Sequence, residues 1–470
     1  MQLFVCFYVM NALYLHYLLQ VQSLNTNTNM ERTAYEALLK WKNNAHRKPL
    51  VIKGARQVGK TWLMKAFGNN EFESVAYINF EKVTQLADLF ETDFDIQRIL
   101  RSIQLATGII PQVGKTLIIF DEIQSIRRGL LALKYFYEDA PQYHVMAAGS
   151  LLGLSIHKDD SFPVGKVDFL DLYPLSYQEF LMAIGKTALL DTLKSQDWVL
   201  IRAFKGQYID LLKQYYYIGG MPEVVDAFIR DGDYKEVRTI QNSILESYDK
   251  DFSKHPPLDI VPRIKMVWNA LPSQLAKENS KFIFGALKSG ARAKEFELAI
   301  MWLQDAGLIY KVNRVSNASL PLGGFEDISA FKLFMVDVGL LGAKSGLDAK
   351  TLIDGNEIFG QHKGSLTGAL TEQYVLQQFK SIDDIAAYYW TPDEGIAEID
   401  FLIQISGNVI PVEVKAAENL KAKSLRSFRD KYHPRISVRT SMSDYREELT
   451  MTNIPLYAIG LINDLIGGSA

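Results

Sequence analysis

Leu50-Val51-Ile52-Lys53-Gly54-Ala55-Arg56-Gln57-Val58-Gly59-Lys60-Thr61-Trp62-Leu63-Met64-Lys65-Ala66-Phe67 decides the fold. Its centre, Gly54 to Thr61, fits G-x-x-x-x-G-K-[ST] at every fixed position. Leu50 to Lys53 reads as a short buried strand, and Trp62 to Phe67 reads as a helix. That strand–loop–helix setting gives the motif its meaning. Glycines let a backbone approach phosphate closely, and successive N–H groups form an anion nest. The following helix adds its positive end. Gly54, Ala55, Arg56, Gln57, Val58, Gly59, Lys60 and Thr61 are therefore expected to cradle a nucleotide. Lys60 reaches the β- and γ-phosphates in this reading, and the Thr61 hydroxyl holds Mg²⁺.

Outward from the loop, strand-like and helix-like stretches alternate from Lys48 to about Phe180. Val75 to Phe80, Thr116 to Phe120 and His144 to Ala148 read as strands. Phe94 to Ala106 and Leu130 to Tyr137 read as helices. Continuous apolar strands between helices imply a parallel sheet covered on both faces. Asp121 and Glu122 end one such strand. A carboxylate there suits the Mg²⁺ shell, and its neighbour suits the attacking water. Asp121 is assigned to the metal and Glu122 to catalysis; a solvated strand end is the alternative. Ser150, closing the next strand, is either a γ-phosphate contact or a turn serine. Lys166 is either a nucleotide contact or an exposed lysine. Arg127 and Arg128 are either charge donors to a neighbouring subunit in a homo-oligomer or a solvated helix start.

The whole chain of 470 residues is long enough for several domains. A hydrophobic fraction of 48% and a charged fraction of 22% are ordinary for a globular protein. The net charge of −3 excludes a nucleic-acid signature spread over the whole surface. The one cysteine, Cys6, excludes disulfides and cysteine metal sites, which fits a reducing, cytoplasmic setting. Residues 3–24 are apolar and uncharged, so membrane anchoring is one reading of them. The other is that translation starts at Met30, where an amphipathic helix opens.

Residues 195–260 read as helical, with Tyr215 to Tyr217 as core. Pro262 to Val315 reads as a three-helix unit running into a hairpin, like a winged helix. Such modules dock on DNA, and Lys288, Arg292 and Lys294 supply modest charge; protein contact is the alternative. Further on, Glu398 to Ile405 and Val409 to Lys415 read as a hairpin turned at Ser406-Gly407-Asn408. Its register brings Asp400 near Glu413, and Glu413 shares a face with Lys415 because side chains alternate. Two carboxylates and a lysine there suit either a divalent cation with an activated water or a cross-strand salt bridge. Lys421, Lys423, Arg426, Arg429, Lys431 and Arg435 form a local basic run, suited to phosphate backbone or to solvent.

The expected organisation is thus α/β. An extension covers 1–29 and a P-loop ATPase domain 30–190. A helical linker covers 191–260, a winged-helix-like domain 261–345 and a second α/β domain 346–470.

The quoted residues carry a resemblance from about Met30 onward. With Gly54 to Thr61 go Leu117 to Gln124, Ala148-Gly149-Ser150 and Leu172-Tyr173-Pro174-Leu175-Ser176. Gly219-Gly220-Met221-Pro222, Phe331-Lys332-Leu333, Asp337 to Leu341, Glu398 to Phe401 and Pro411 to Lys415 complete it. The chain resembles prokaryotic AAA-type P-loop ATPases that carry a C-terminal domain of unknown function and end in a PD-(D/E)XK nuclease-like fold. The resemblance implies ATP and Mg²⁺ at Lys60, Thr61, Asp121 and Glu122. It also implies a nuclease motif of Glu372, Asp400, Glu413 and Lys415, with a second divalent metal on the three carboxylates. Lys166 stands where the family usually has arginine. The function this implies is an ATPase whose nucleotide cycle controls a DNA-directed module. The competing reading is a nucleotide-gated regulator with a protein partner and an inactive nuclease fold.

Overall fold

In a computed structural model of the chain, the described residues are 30–83, 90, 94–126, 128–149, 165–277, 281–353, 366–392, 397–418, 423–449 and 451–467. Residues 1–29, Ser150, Arg127 and Lys421 lie outside them. Among the described residues, no helix is long and apolar enough to cross a membrane.

The first sheet holds five strands: β1 (Leu50–Lys53), β2 (Ser74–Asn79), β3 (Thr116–Asp121), β4 (His144–Ala148) and β5 (Asp168–Asp171). Their order is β2-β3-β4-β1-β5, and every pairing is parallel. β3 is buried along its whole length because helices cover both faces. Its side chains alternate between two cores. Leu117 and Ile119 join the core that holds Leu63 and Phe67. Ile118 and Phe120 join the opposite one, with Ile99 and Phe136. Helix α1 (Ala34–Asn43) is the first helix among the described residues, and α2 (Lys60–Glu71) leaves the loop after β1. Helix α3 (Ile96–Thr107) begins on Asp95, whose carboxylate accepts from the N–H groups of Gln97 and Arg98. That satisfies two of the donors a helix start leaves open. Helix α4 (Gly129–Asp139) covers the same face.

From residue 187 to Lys254 the described chain is helical, including α5 (Lys205–Ile218) and α6 (Tyr234–Lys254). Tyr215, Tyr216 and Tyr217 are buried, as expected for core residues. Among the described residues, the expected three-helix unit holds two full helices, α7 (Val261–Leu275) and α8 (Ala293–Asp305). Between them Phe284–Ala286 makes only a single 3-10 turn.

The second sheet has eight strands: β6 (Ile309–Val315), β7 (Glu326–Met335), β8 (Tyr388–Trp390), β9 (Ile399–Ile405), β10 (Asn408–Val414), β11 (Ser437–Ser441), β12 (Arg446–Glu448) and β13 (Met451–Pro455). Their order is β12-β13-β11-β10-β9-β8-β6-β7, with mixed directions. The hairpin after α8 and the strands beyond residue 346 thus share one sheet. Helix α9 (Leu366–Lys380) packs on it, and α10 (Lys423–Tyr432) lies outside β9 and β10.

One core runs unbroken from Leu63 and Phe67 through Tyr215 to Phe401 and Ile454. A compact joint made of three motifs holds the halves together. Leu175 N–H donates to the Gly220 carbonyl at 2.7 Å. Gly220 N–H donates to Asp337 Oδ2 at 2.7 Å. A Cβ on Gly220 would stand 2.1 Å from the Leu175 carbonyl oxygen, so only glycine fits. Asp337 is fully buried, and burial raises its carboxyl pKa against hydrogen bonds from Gly220, Leu340 and Gln377.

Candidate functional site

The loop between β1 and α2 adopts the predicted cradle. Gly54 has φ of 144° and Gly59 φ of 93°, conformations that favour glycine. A Cβ on Gly54 would meet the Leu172 carbonyl oxygen at 2.2 Å. Lys60 begins α2 and is 8% exposed. Its ammonium donates to the carbonyls of Gly54 and Ala55, each at 2.8 Å. Burial pulls its pKa down to about 8, opposed by Glu122 and Asp121. Carbonyl dipoles stabilise an ammonium less than an anion does. Lys60 is thus a desolvated cation folded onto its own loop.

Thr61 Oγ1 donates to Asp121 Oδ2 at 2.8 Å, so the two predicted Mg²⁺ ligands meet. β3 lies two strands from β1, with β4 between them, and both strands end at the same edge. That topology brings residues 60 positions apart into contact. Tyr77 Oη also donates to Asp121 Oδ2, at 2.8 Å, a partner the sequence reading did not single out. Burial and this bond raise the Tyr77 pKa to about 12. Glu122 has φ of 52°, and Gln124 Nε2 donates to its Oε2 at 2.6 Å. One acceptor set, one buried ammonium and one adjacent carboxylate thus sit at the mouth of the cradle.

Residues far from the motif grip this loop. Arg32 Nη1 donates to the Val58 carbonyl at 3.1 Å, and its Nε pairs with buried Glu179 at 3.1 Å. Arg56 Nη1 meets Asp251 Oδ1 of α6 at 2.5 Å, and Tyr248 Oη donates to the Arg56 carbonyl at 2.9 Å. Gly307, in the turn after α8, sits so close that a Cβ would be 2.9 Å from Ala55 N. Arg32, Tyr248 and Asp251 carry no local motif; only the fold reveals them. Beside Gly59 a cleft of about 300 Å³ is lined by Met30, Trp62, Pro222 and Asp226 among others. The Trp62 side chain is 44% exposed there.

The other predicted residues are placed differently. Lys166 pairs with Glu138 of α4 at 3.0 Å and lies over the Tyr137 ring. The Arg128 guanidinium lies 4.2 Å from the Phe94 ring centre of its own chain. Lys288, Arg292 and Lys294 are exposed, as are Lys423, Arg426, Lys431 and Arg435.

In the second sheet the hairpin register is as expected. Val412 pairs with Phe401, so Asp400 falls opposite Glu413. Ser406 and Gly407 both take positive φ, the two-residue turn that fixes this register. Asp400 Oδ2 accepts from Val414 N–H at 2.7 Å, and Lys415 Nζ meets Glu413 Oε1 at 2.6 Å. Glu372 comes from α9, and a further charged residue not expected there is Lys332 of β7. Its Nζ lies 2.5 Å from Glu398 Oε1 and 3.3 Å from Glu372 Oε2, and its side chain is fully buried. Among the described residues no group of three or more His, Cys, Asp or Glu is arranged to hold a metal. The second metal expected on Glu372, Asp400 and Glu413 is therefore not shown by this arrangement. Glu372 is spent on Lys332, Glu413 on Lys415 and Asp400 on a backbone N–H. A lysine in the apolar run Ala330-Phe331-Lys332-Leu333-Phe334 was the signal available, because a charge there must find acids.

Family comparison gives an AAA domain over residues 46–181. Two domains of unknown function follow, DUF8612 over 209–351 and DUF4143 over 367–459. No curated protein matches the chain. Among solved structures, the Walker-type ATPase paby2304 of Pyrococcus abyssi is 14% identical, with TM-score 0.41, covering 67% of this chain and 96% of that one. Aeropyrum pernix ORC1, solved in complex with DNA, is 12% identical at TM-score 0.25, covering 66% and 90%. Cdc6p of Pyrobaculum aerophilum is 11% identical at TM-score 0.26, covering 70% and 96%. These superpositions are loose. Residues 46–181 thus match an AAA domain, and their parallel sheet and loop have the P-loop NTPase fold.

Proposed function

We propose that the chain binds and hydrolyses ATP at Gly54–Thr61 and passes its nucleotide state to the C-terminal half. The observation that carries this is the buried Lys60 ammonium, whose two hydrogen bonds go to loop carbonyls. An incoming triphosphate offers it anionic oxygens in their place. Thr61 and Asp121 would hold Mg²⁺, which when bound neutralises phosphate oxygens. Glu122 would orient the attacking water. The base would enter the cleft beside Gly59, with Trp62 and Pro222 as apolar walls.

Arg56 is the route outward. Its side chain and carbonyl are both held by α6, and Gly307 abuts Ala55. A loop that reshapes around phosphate therefore pulls on α6 and on the turn that leads into β6. The output proposed for that movement is contact with DNA through the basic face of α10, where Lys423, Arg426 and Lys431 are exposed.

A second reading is favoured by one observation. The exposed face of α8 carries Lys294, Glu297, Leu298 and Met301, a surface apolar and weakly charged for DNA. It suits a nucleotide-gated protein partner, with the nuclease-like sheet as scaffold. The deciding experiment measures phosphate release by the chain begun at Met30, with and without duplex DNA. ATP turnover lost in both Lys60→Ala and Glu122→Gln supports the ATPase. Wild-type turnover in both would sink it. Stimulation by DNA selects the first output, and a DNA-independent rate selects the second.

A further inference from the structure

Lys332 is the least expected charge in the molecule. It sits mid-strand in β7 between Phe331 and Leu333, and its side chain has no exposed surface. Moving an ammonium out of water costs several kcal/mol unless anions meet it. Here two carboxylates do, together with an aromatic ring. Glu398 Oε1 lies at 2.5 Å, Glu372 Oε2 at 3.3 Å, and the Tyr389 ring lies with its centre 5.2 Å from Nζ. Glu372, Glu398 and Asp400 together outweigh burial and hold the lysine well above its ordinary pKa.

We infer that the Lys332 ammonium is the resident cation of the acidic cluster between α9, β7 and β9, standing where a divalent metal would be needed. Each carboxylate of the cluster already has a partner. Glu372 and Glu398 share Lys332, Glu413 takes Lys415, and Asp400 takes the Val414 N–H. A metal at Glu372 would stand about where a fixed positive charge already sits, and like charges at such distances repel strongly in a poorly hydrated interior. The lysine is also anchored at its other end, because its backbone is paired with Val312 in β6. The cluster is therefore a partly neutralised tie between the two parts of the second sheet and α9.

Four carboxylates still face two lysines, so the decisive probe is a divalent cation itself. The full chain is prepared nucleotide-free with Asp121→Asn, which silences the loop as a second metal site, and titrated with Mn²⁺ while free Mn²⁺ is followed by its paramagnetic resonance. The expected result is that Mn²⁺ stays free and the melting temperature does not move. Adding Lys332→Met to this background removes the ammonium, and Mn²⁺ is then expected to bind one per chain and to raise the melting temperature of that variant. Lys332→Arg, which keeps the charge, is expected to leave Mn²⁺ free like its parent. One Mn²⁺ bound per chain to the parent, and lost on Asp400→Asn or Glu413→Gln, would overturn the inference. If Lys332→Met fails to fold, the parent and Lys332→Arg measurements still decide it.

Discussion

Lys60 and Lys332 are both buried lysines, and they are buried for opposite reasons. Lys60 starts a helix and touches backbone carbonyls, so burial wins and its pKa falls to about 8. Lys332 lies in a strand among carboxylates, so the anions win and its pKa rises. The first is held by backbone dipoles, with the charges of Glu122 and Asp121 too weak to offset its burial. The second already has its anions and is the condition of a finished structural tie. A buried charge by itself therefore says little about function; what matters is whether its counter-charge belongs to the chain.

The largest expected effects test that contrast in rate. Lys60→Ala and Glu122→Gln should each lower ATP turnover by about 100-fold or more, the range for removing a general base or a charge-stabilising group. Lys332→Met should leave turnover within a few fold. Steady-state phosphate release measures all three, and a Lys332→Met loss equal to that of Lys60→Ala would erase the distinction.

Stability should separate the lysines by sign. Lys332→Met leaves Glu372 and Glu398, which keep 22% and 16% of their side-chain surface exposed, without their ammonium, and breaking a buried pair costs up to about 3–5 kcal/mol. Lys60→Met removes a desolvated ammonium. The drop from 10.5 to about 8 corresponds to ~3 kcal/mol of native-state penalty. So the nucleotide-free Lys60→Met protein should gain stability, up to that limit, in urea unfolding. Both variants unfolding more easily than the parent would break the comparison.

How much of each site could be read beforehand follows from the same difference. The cradle is eight consecutive residues, so spacing alone orders its atoms. Asp121 was also legible, because an acid ending an apolar strand is visible locally. The Asp400–Glu413 pairing was legible because a two-residue turn fixes hairpin register. Glu372 came only with the resemblance, since no local pattern ties a helix carboxylate to a strand 28 positions away. Lys332 was missed as a site residue because its partners depend on the order of eight strands, which no spacing encodes. Arg56 was placed in the loop, but its grip by Asp251 and Tyr248 depends on how α6 docks.

That grip supplies the next smaller effect, where the two regions are joined. Asp251→Asn weakens a charged hydrogen bond to a half-exposed Arg56, and Tyr248→Phe removes one to a carbonyl. Each should cost about 1–2 kcal/mol. The specific outcome is uncoupling. ATP should still bind, but the ATP-dependent slowing of amide exchange across α6 and β6 should shrink in Asp251→Asn. If that protection is unchanged, the nucleotide state travels by another path.

The smallest effect asks whether buried bases without a carboxylate hydrogen-bond partner characterise the first-sheet half more widely. His144 opens β4 with 7% of its surface exposed, between the rings of Trp41 and Phe72. Burial comes first and Arg47 second in pushing its pKa down to about 4, while the Lys42 carbonyl pulls weakly the other way. Like Lys60, it has no carboxylate partner among these contacts. The folded protein therefore keeps His144 neutral where an unfolded chain would protonate it. Between the ordinary value of 6.5 and about 4 the unfolded state binds the extra proton, so stability is fully present above 6.5 and drains as pH falls through that window. His144→Phe keeps the ring contacts and removes the titration. Its melting temperature should fall less steeply than the parent's from pH 6.5 to 4, with the two curves parallel above 7. Parallel curves throughout would mean that His144 is charged or screened in the fold, and Lys60 would then be the exception and not the rule of its half.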